Sequence, residues 1–399
     1  MIFSETYLPA FQRFQARPNY RRDCGAVEVV VAGLASRTGR RAGELGAALG
    51  SPPSFAGPTA VEELLAAGTV DVVCVATPDD RHFGPAKAAL EAGKHVLIEK
   101  PSVLRLDQWQ ELCDLAAQKQ VLAKIVYHKL LDPDHKRLRT LYQRGALRHV
   151  NNGYCSLLEP KLVSRTFAEW IGGRNPASYV AVHYLKLIDF TFGPDWKLKR
   201  IQATGQKGQL SSATWDSVQL RVVYRHPDQR EAAFDIHTDW VTPDNFPGAV
   251  EQEVQFRFDN GVWNAHQRKR GVECIIEDGR DYRLTPNHHY SAEFLEPWGE
   301  TSRRGYGIEA IERFFEEVAF VEFGGPISER LCRLQEIKAL SYNDLTADRQ
   351  VVAAVQACEA ILVEHAAGRP GAMVEVSDER VVLHSPRQDQ AIVLHSFRQ

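Results

Sequence analysis

Long apolar runs are missing from this sequence of 399 residues, and no stretch approaches the length that crosses a bilayer. The opening Met1-Ile-Phe-Ser-Glu5 has no basic segment ahead of an apolar one, so it does not read as a secretory leader and a cytoplasmic protein is expected. Net charge is also scarce: 48 Lys and Arg stand against 51 Asp and Glu, a formal charge of -3. That balance, with no basic run or basic aromatic strip, excludes a field able to gather a polyanion, and nucleic acid is not an expected partner. Cysteine is sparse and scattered. The seven (Cys24, Cys74, Cys113, Cys155, Cys274, Cys332, Cys358) never fall in C-x-x-C spacing, as expected of reduced thiols. His288-His289 is the one adjacent histidine pair and lacks Cys or carboxylate at ligand spacing, so it reads as a surface turn and no metal is expected.

What is present is ordinary globular composition, with 44% apolar and 25% charged residues. The length suits two domains rather than one core. Val27 to Ala35 and Val70 to Ala76 are valine-rich runs bounded by polar residues or glycine, the pattern of strands buried on both faces. Apolar residues recur at three and four through Arg40 to Leu49 and Val61 to Ala67. Pro85 to Ala92 reads as the next helix and His95 to Ile98 as the next strand, followed by helix Leu106 to Gln118 and strand Val121 to Tyr127. Strands alternating with helices call for a parallel sheet covered on both faces, a doubly wound nucleotide-binding layout. One element is missing: the chain opens directly into Tyr7 to Phe14, which reads as the first helix, with no apolar strand before it.

Beyond about residue 150 the rhythm changes. Ser217 to Tyr224 and Glu253 to Phe258 alternate apolar with polar, Arg200 to Gly205 and Glu231 to Trp240 fit the same class, and Asp259-Asn-Gly261 is a hairpin turn. A largely antiparallel sheet is expected there. Helical periodicity returns at Gly307 to Glu322 and Asp348 to Ala366. Val381 to Ser385 and Ile392 to Ser396 form a near-repeat too short to imply a repeat architecture.

The most specific segment runs from Val70-Asp-Val-Val-Cys-Val-Ala-Thr-Pro-Asp-Asp-Arg-His82 through Ala88 to Gly93-Lys-His-Val-Leu-Ile-Glu-Lys-Pro101. It resembles the glucose-fructose oxidoreductase, inositol dehydrogenase and rhizopine-catabolism family (Gfo/Idh/MocA), with its order of strand, T-P-x-x-x-H, helix, G-K-H-V and E-K-P. The likeness continues at Tyr127 to Pro133, Asn175 to His183 and Ala203 to Gly208, and covers most of residues 5 to 376. The resemblance implies an α/β fold: a Rossmann-type domain over residues 1–127, here without its first strand and glycine-rich turn, and an α+β domain over 128–345 with a large, mostly antiparallel open sheet. Helix 348–366 is expected to return to the first domain, leaving 377–399 as a tail. It also implies a nicotinamide cofactor, a polyhydroxylated substrate and, through the open sheet faces, a homodimer or homotetramer.

Carried over residue by residue, the likeness implies cofactor contacts at Ala76, Thr77, Pro78, His82, Glu99, Lys100 and Pro101. Lys100 follows a buried strand and Pro101 keeps its backbone extended, so its ammonium belongs on the sheet's carboxyl edge, where a cation favours a developing alkoxide. Tyr179, His183 and Lys186 share one face if their segment is α-helical. The family pattern there is aspartate, then histidine four residues later, with the histidine taking the alcohol proton. Tyr179 replaces the aspartate, keeping a polar role but not an anionic one at neutral pH. His128 and Lys129 after a strand, with Trp170, Arg174 and Asn175 ahead of the His183 segment, are candidate substrate contacts. At the end of the second strand Ser36-Arg37, followed by Arg40, suits a ribose 2'-phosphate, since guanidinium grips phosphate in a fork, so NADP is expected ahead of NAD.

The G-x-G-x-x-G/A turn that holds a pyrophosphate does not occur before Tyr7. Either the start is misassigned or ordinary dinucleotide binding is lost. Two functions follow: an NAD(P)-dependent oxidoreductase acting on a sugar, sugar acid or cyclitol, or a non-catalytic sugar-binding or regulatory protein on the same scaffold. Glu99-Lys-Pro101 and His183 favour the first; the missing turn, Tyr179 and Lys186 favour the second.

Overall fold

The computed structural model describes residues 2–210, 213–246, 250–266, 287–386 and 390–397. They fall into two compact units, one of residues 1–103, 108–131 and 288–348, the other of 104–107, 132–287 and 349–399. The segment 288–345, expected in the second domain, therefore groups with the first unit. No described helix is long and apolar enough to cross a membrane.

The first unit is built on three parallel strands, Val72–Val75, His95–Glu99 and Ala123–Val126, paired in that order. Every residue of the second and third is buried, as a parallel sheet covered on both faces requires. Helices Phe83–Glu91 and Leu106–Gln118 make the crossovers. The valine-rich run expected as one strand over Val27 to Ala35 is instead broken. Gly25–Val27 pairs antiparallel with Asn19–Arg21, and only Leu34–Ser36 pairs parallel, with Ser54–Ala56. The reason lies in the doubly wound strand order 3-2-1-4-5-6, which sets the first strand between the second and the fourth. With no strand at that place among the described residues, the ladder divides into a two-stranded and a three-stranded sheet. The intervening valines then lack a ladder, and Val30 is 69% exposed.

The first helix is entered through a π turn, Phe3–Tyr7, and continues as Leu8–Ala16. It buries Tyr7, Ala10, Phe11 and Phe14, one helical stripe, against helix Tyr306–Phe323. Phe11 and Phe14 meet Phe315 edge-on at 5.8 and 5.3 Å between ring centroids. The same long helix supplies Glu317 to Lys124, a fully buried ion pair at 2.8 Å. The Tyr342 hydroxyl donates to the carboxylate at 3.0 Å and its ring lies 5.0 Å from the ammonium.

The second unit carries a nine-stranded sheet. Its order is Gly261–His266, Glu251–Phe258, Val150–Pro160, Glu231–Thr242, Ser217–Arg225, Lys197–Gln206, Met373–Val376, Arg380–His384, Ile392–Ser396. Only the Val150 and Glu231 strands run parallel. Burial alternates along the strands, as expected of one packed and one open face. Phe234 and Phe256 fill the packed face against Phe192 of helix Val182–Phe192. They close so tightly over Gly153 that a Cβ there would stand 2.4 to 2.6 Å from their rings.

Helix Arg349–Ala366, expected to return to the nucleotide-binding domain, groups with this second unit. Its apolar face, including Val351, Val352 and Val355, is buried, and it packs on the Lys197, Met373 and Arg380 strands and on helix Val182–Phe192. The tail is part of the sheet: the two halves of the near-repeat pair antiparallel, Val381 opposite His395 and Leu383 opposite Ile392. Glu364 anchors it, accepting two bonds of 2.6 Å from Arg369 and one of 2.5 Å from the Ser385 hydroxyl. These bonds hold its carboxyl down at about 2.

Replacing Glu317 by alanine leaves the Lys124 ammonium buried and unpaired, and denaturant unfolding should show a loss of about 3–5 kcal/mol. The double change Lys124→Met with Glu317→Leu should recover most of it. A single variant as stable as the parent would remove the pair from the account of this core.

Candidate active site

Parallel strands deliver their carboxyl ends to one edge, and in the first unit three segments meet that edge: Ala76-Thr77-Pro78, Lys100-Pro101 and Tyr127-His128-Lys129. Ala76 and Pro78 are half-buried and Thr77 is exposed, its hydroxyl donating to the Arg81 carbonyl at 3.2 Å. His82, expected as a cofactor contact, is 1% exposed and lies behind this turn. Its Nδ1 is 2.7 Å from the Pro101 carbonyl oxygen and its Nε2 is 2.9 Å from that of Thr77.

Lys100 is buried and joined to Pro101 by a cis peptide. The Glu99 carboxyl beside it is buried too. Burial pushes this carboxyl up to about 7, against the Lys100 ammonium, which pulls it down. Oε2 lies 3.4 Å from the Lys100 backbone N–H, while Oε1 has no hydrogen-bond partner among the described residues. Tyr7, fully buried, stands close enough for Glu99 to raise its phenol, burial being the larger cause, yet its hydroxyl is outside hydrogen-bond geometry. Burial and the same carboxyl push the Cys74 thiol up to about 12. Tyr7 was not singled out in the sequence. The signal was there, since it is the one polar tip on an otherwise apolar helical stripe.

Beyond Pro101 the edge is braced by Asp348, which is fully buried and accepts from the Ser102 hydroxyl at 2.6 Å and the Tyr127 hydroxyl at 2.8 Å. His128 and Lys129 are buried rather than solvated, and the His128 ring packs 5.0 Å from Tyr290 and 6.2 Å from Tyr306. At the end of strand Leu34–Ser36, the Ser36 hydroxyl accepts the Gly39 N–H at 3.1 Å. Arg37 and Arg40 are exposed; Arg40 pairs with Glu44 at 3.3 Å, and the Arg37 guanidinium carries no ion pair among the described residues.

A nicotinamide dinucleotide fits this edge in part. An orphaned buried carboxylate oxygen and a neighbouring ammonium suit the ribose and reacting end, and the uncommitted Arg37 suits a ribose phosphate. No glycine turn leads into the first helix among the described residues.

In the second unit, a π turn, Ala177–Ala181, runs into helix Val182–Phe192. Tyr179 lies in the π turn, and His183 and Lys186 lie three residues apart in the α-helix that follows. His183 and Lys186 are both buried, and the half-buried Tyr179 ring lies 6.0 Å from Trp240. Trp240 in turn donates to Glu159 at 2.8 Å. Asn175, expected to meet substrate, is committed to the fold instead. Its Oδ1 accepts the Ser178 N–H at 2.8 Å, and its Nδ2 donates to the Ser178 hydroxyl at 3.0 Å and to Glu359 at 2.8 Å. Arg174 lies 3.4 Å from the same Glu359 carboxylate. Trp170 belongs to the short helix Ala168–Ile171, with its side chain outside those described.

Residues 3–128 match the family model described as an oxidoreductase family with an NAD-binding Rossmann fold. An uncharacterized oxidoreductase of Escherichia coli (strain K12), YdgJ, is 40% identical over 81 residues, 20% of this chain and 23% of that protein. The scyllo-inositol 2-dehydrogenase (NADP(+)) IolW of Bacillus subtilis (strain 168) is 30% identical over 91 residues, 23% of this chain and 25% of that protein. This chain thus spans about a quarter of the length of these curated relatives. Among solved structures, GenD2 from gentamicin A biosynthesis, in complex with NAD, superposes with a TM-score of 0.61 at 20% identity, covering 92% of this chain and 93% of that one. That likeness is one of fold. With its T-P-x-x-x-H and E-K-P segments on the carboxyl edge of a parallel sheet, the chain is similar over residues 3–128 to the oxidoreductase family with an NAD-binding Rossmann fold.

Proposed function

We propose that the protein is an NAD(P)-dependent oxidoreductase that moves a hydride to or from a hydroxyl-bearing carbon of a sugar, sugar acid or cyclitol. The observation that carries this reading is a buried Lys100 next to a buried Glu99 carboxyl whose Oε1 has no hydrogen-bond partner among the described residues, where a Rossmann-type sheet presents its ligand edge. The bound nicotinamide supplies the hydride acceptor or donor. Lys100 stabilises negative charge on the substrate oxygen as the proton leaves. His183 takes or returns that proton at a ring nitrogen. Tyr179 contributes a neutral hydrogen bond to substrate, and Lys129 and Lys186 are cations suited to an acidic or hydroxylated ligand. Ser36, Arg37 and Arg40 hold the ribose phosphate, which makes NADP the preferred cofactor. The open, polar face of the nine-stranded sheet pairs subunits into a homodimer or homotetramer.

His183→Ala should lower kcat by about 10² to 10⁴ while leaving cofactor affinity nearly intact, because a general base acts on the transition state. Lys100→Ala should damage both. Steady-state kinetics over a panel of polyols and sugars reads the split, and a His183 variant with parental kcat would sink the role. Fluorescence titration should show tighter binding of NADP(H) than NAD(H), and Arg37→Asp should abolish or invert that preference. Equal affinities in the parent would contradict the assignment of Arg37. Should no hydride transfer occur while a sugar raises the melting temperature, the protein is a binding protein on this scaffold.

A further inference from the structure

We infer that His82 is a positioning residue for Lys100, an inference that rests on the proposed role of Lys100 at the reacting carbon. The imidazole is 1% exposed, and its two nitrogens reach two carbonyl oxygens on different turns, Thr77 at 2.9 Å and Pro101 at 2.7 Å. Thr77 follows strand Val72–Val75 and Pro101 follows strand His95–Glu99, so one side chain ties together the turns that leave the two strands. Carbonyl oxygens only accept, so every bond here is donated by the ring: a neutral imidazole fills one and an imidazolium fills both. Pro101 is bonded directly to Lys100. The Pro101 carbonyl lies in the Pro101–Ser102 peptide, and the proline ring restricts the rotation between that peptide and the one joining Lys100 to Pro101, so holding the carbonyl restrains the backbone next to Lys100.

Asp348 braces Ser102 and Tyr127 on the far side of Pro101, and Glu99 lies 3.4 Å from the Lys100 backbone N–H. Burial lowers the His82 pKa; its two carbonyl partners and Asp79 oppose this, and Lys100 reinforces it. His82 accordingly acts through its contacts on Lys100 and is assigned no proton transfer.

The test uses the full chain carrying lysine labelled with ¹³C at Cε, with the Lys100 resonance assigned by its loss in Lys100→Arg. His82→Leu removes the ring's donor, and His82→Gln restores an amide that donates to a carbonyl. The expected result is that the Leu variant shifts or broadens the Lys100 resonance while other lysines stay in place, and that Gln returns it part of the way. Where turnover is measurable, the Leu variant should lose kcat by on the order of tenfold to a hundredfold with KM changed far less, the signature of a misplaced group. A Lys100 resonance unmoved in His82→Leu overturns the inference, as does a shift shared by all lysines. If the Leu variant does not fold, His82→Asn, with a shorter reach, must perturb Lys100 more than Gln does, or the inference fails. The resonance reads positioning without catalysis: a moved Lys100 signal in a protein with no hydride transfer would uphold this inference and refute the proposed function.

Discussion

Parallel register is the constraint from which the site follows. Two strands that run the same way must end on the same edge, so pairing Val72 with His95 and Val96 with Ala123 brings Thr77, Lys100 and His128 to one side although they are far apart in the chain. The crossovers that parallel pairing demands bury both faces of the sheet. That burial makes any polar group near the edge costly unless it is bonded. The edge is therefore where an unbonded polar group carries the most meaning.

The buried charges divide on this criterion. Lys124 faces the Glu317 carboxylate at 2.8 Å, Asp348 accepts from the hydroxyls of Ser102 and Tyr127, and Glu364 accepts from Arg369 and Ser385, so each has a side-chain partner in the fold. Glu99 differs. One of its oxygens is left over, its carboxyl is pushed up to about 7, and a phenol and a thiol beside it are pushed up in turn. Satisfied buried charges hold a fold together, whereas a buried group left open beside a cation is the arrangement expected where a ligand completes it.

Much of this was legible in the sequence. The valine-rich strands from Val70 onward, the helices between them and the alternating strands of the open sheet were read from periodicity because each period reports which faces are buried. What failed depended on partners that periodicity does not name. Val27 to Ala35 has strand composition yet forms only short pieces, since a strand needs a neighbour on its hydrogen-bonding edge. The long helices at 306–323 and 349–366 were recognised as helices, but their unit was set by tertiary packing, and the first groups with the parallel sheet while the second groups with the open one. Asn175 illustrates the same limit at one residue. A polar side chain before a helix can face a ligand or cap the helix, and only the positions of Ser178 and Glu359 decide for the cap. The segment Ala177–Ala181 is a π turn, and no residue pattern announced it.

The central claim is that this edge serves hydride transfer between a carbon-bound hydroxyl and a nicotinamide. It is tested most directly by incubating the protein with oxidised NADP or NAD and cyclitols or sugars deuterated at their hydroxyl-bearing carbons, then weighing the recovered cofactor by mass spectrometry. The account predicts reduced cofactor carrying one deuterium from substrate carbon. Cofactor recovered oxidised and unlabelled across the panel, with a deuterated polyol demonstrably bound, would contradict it.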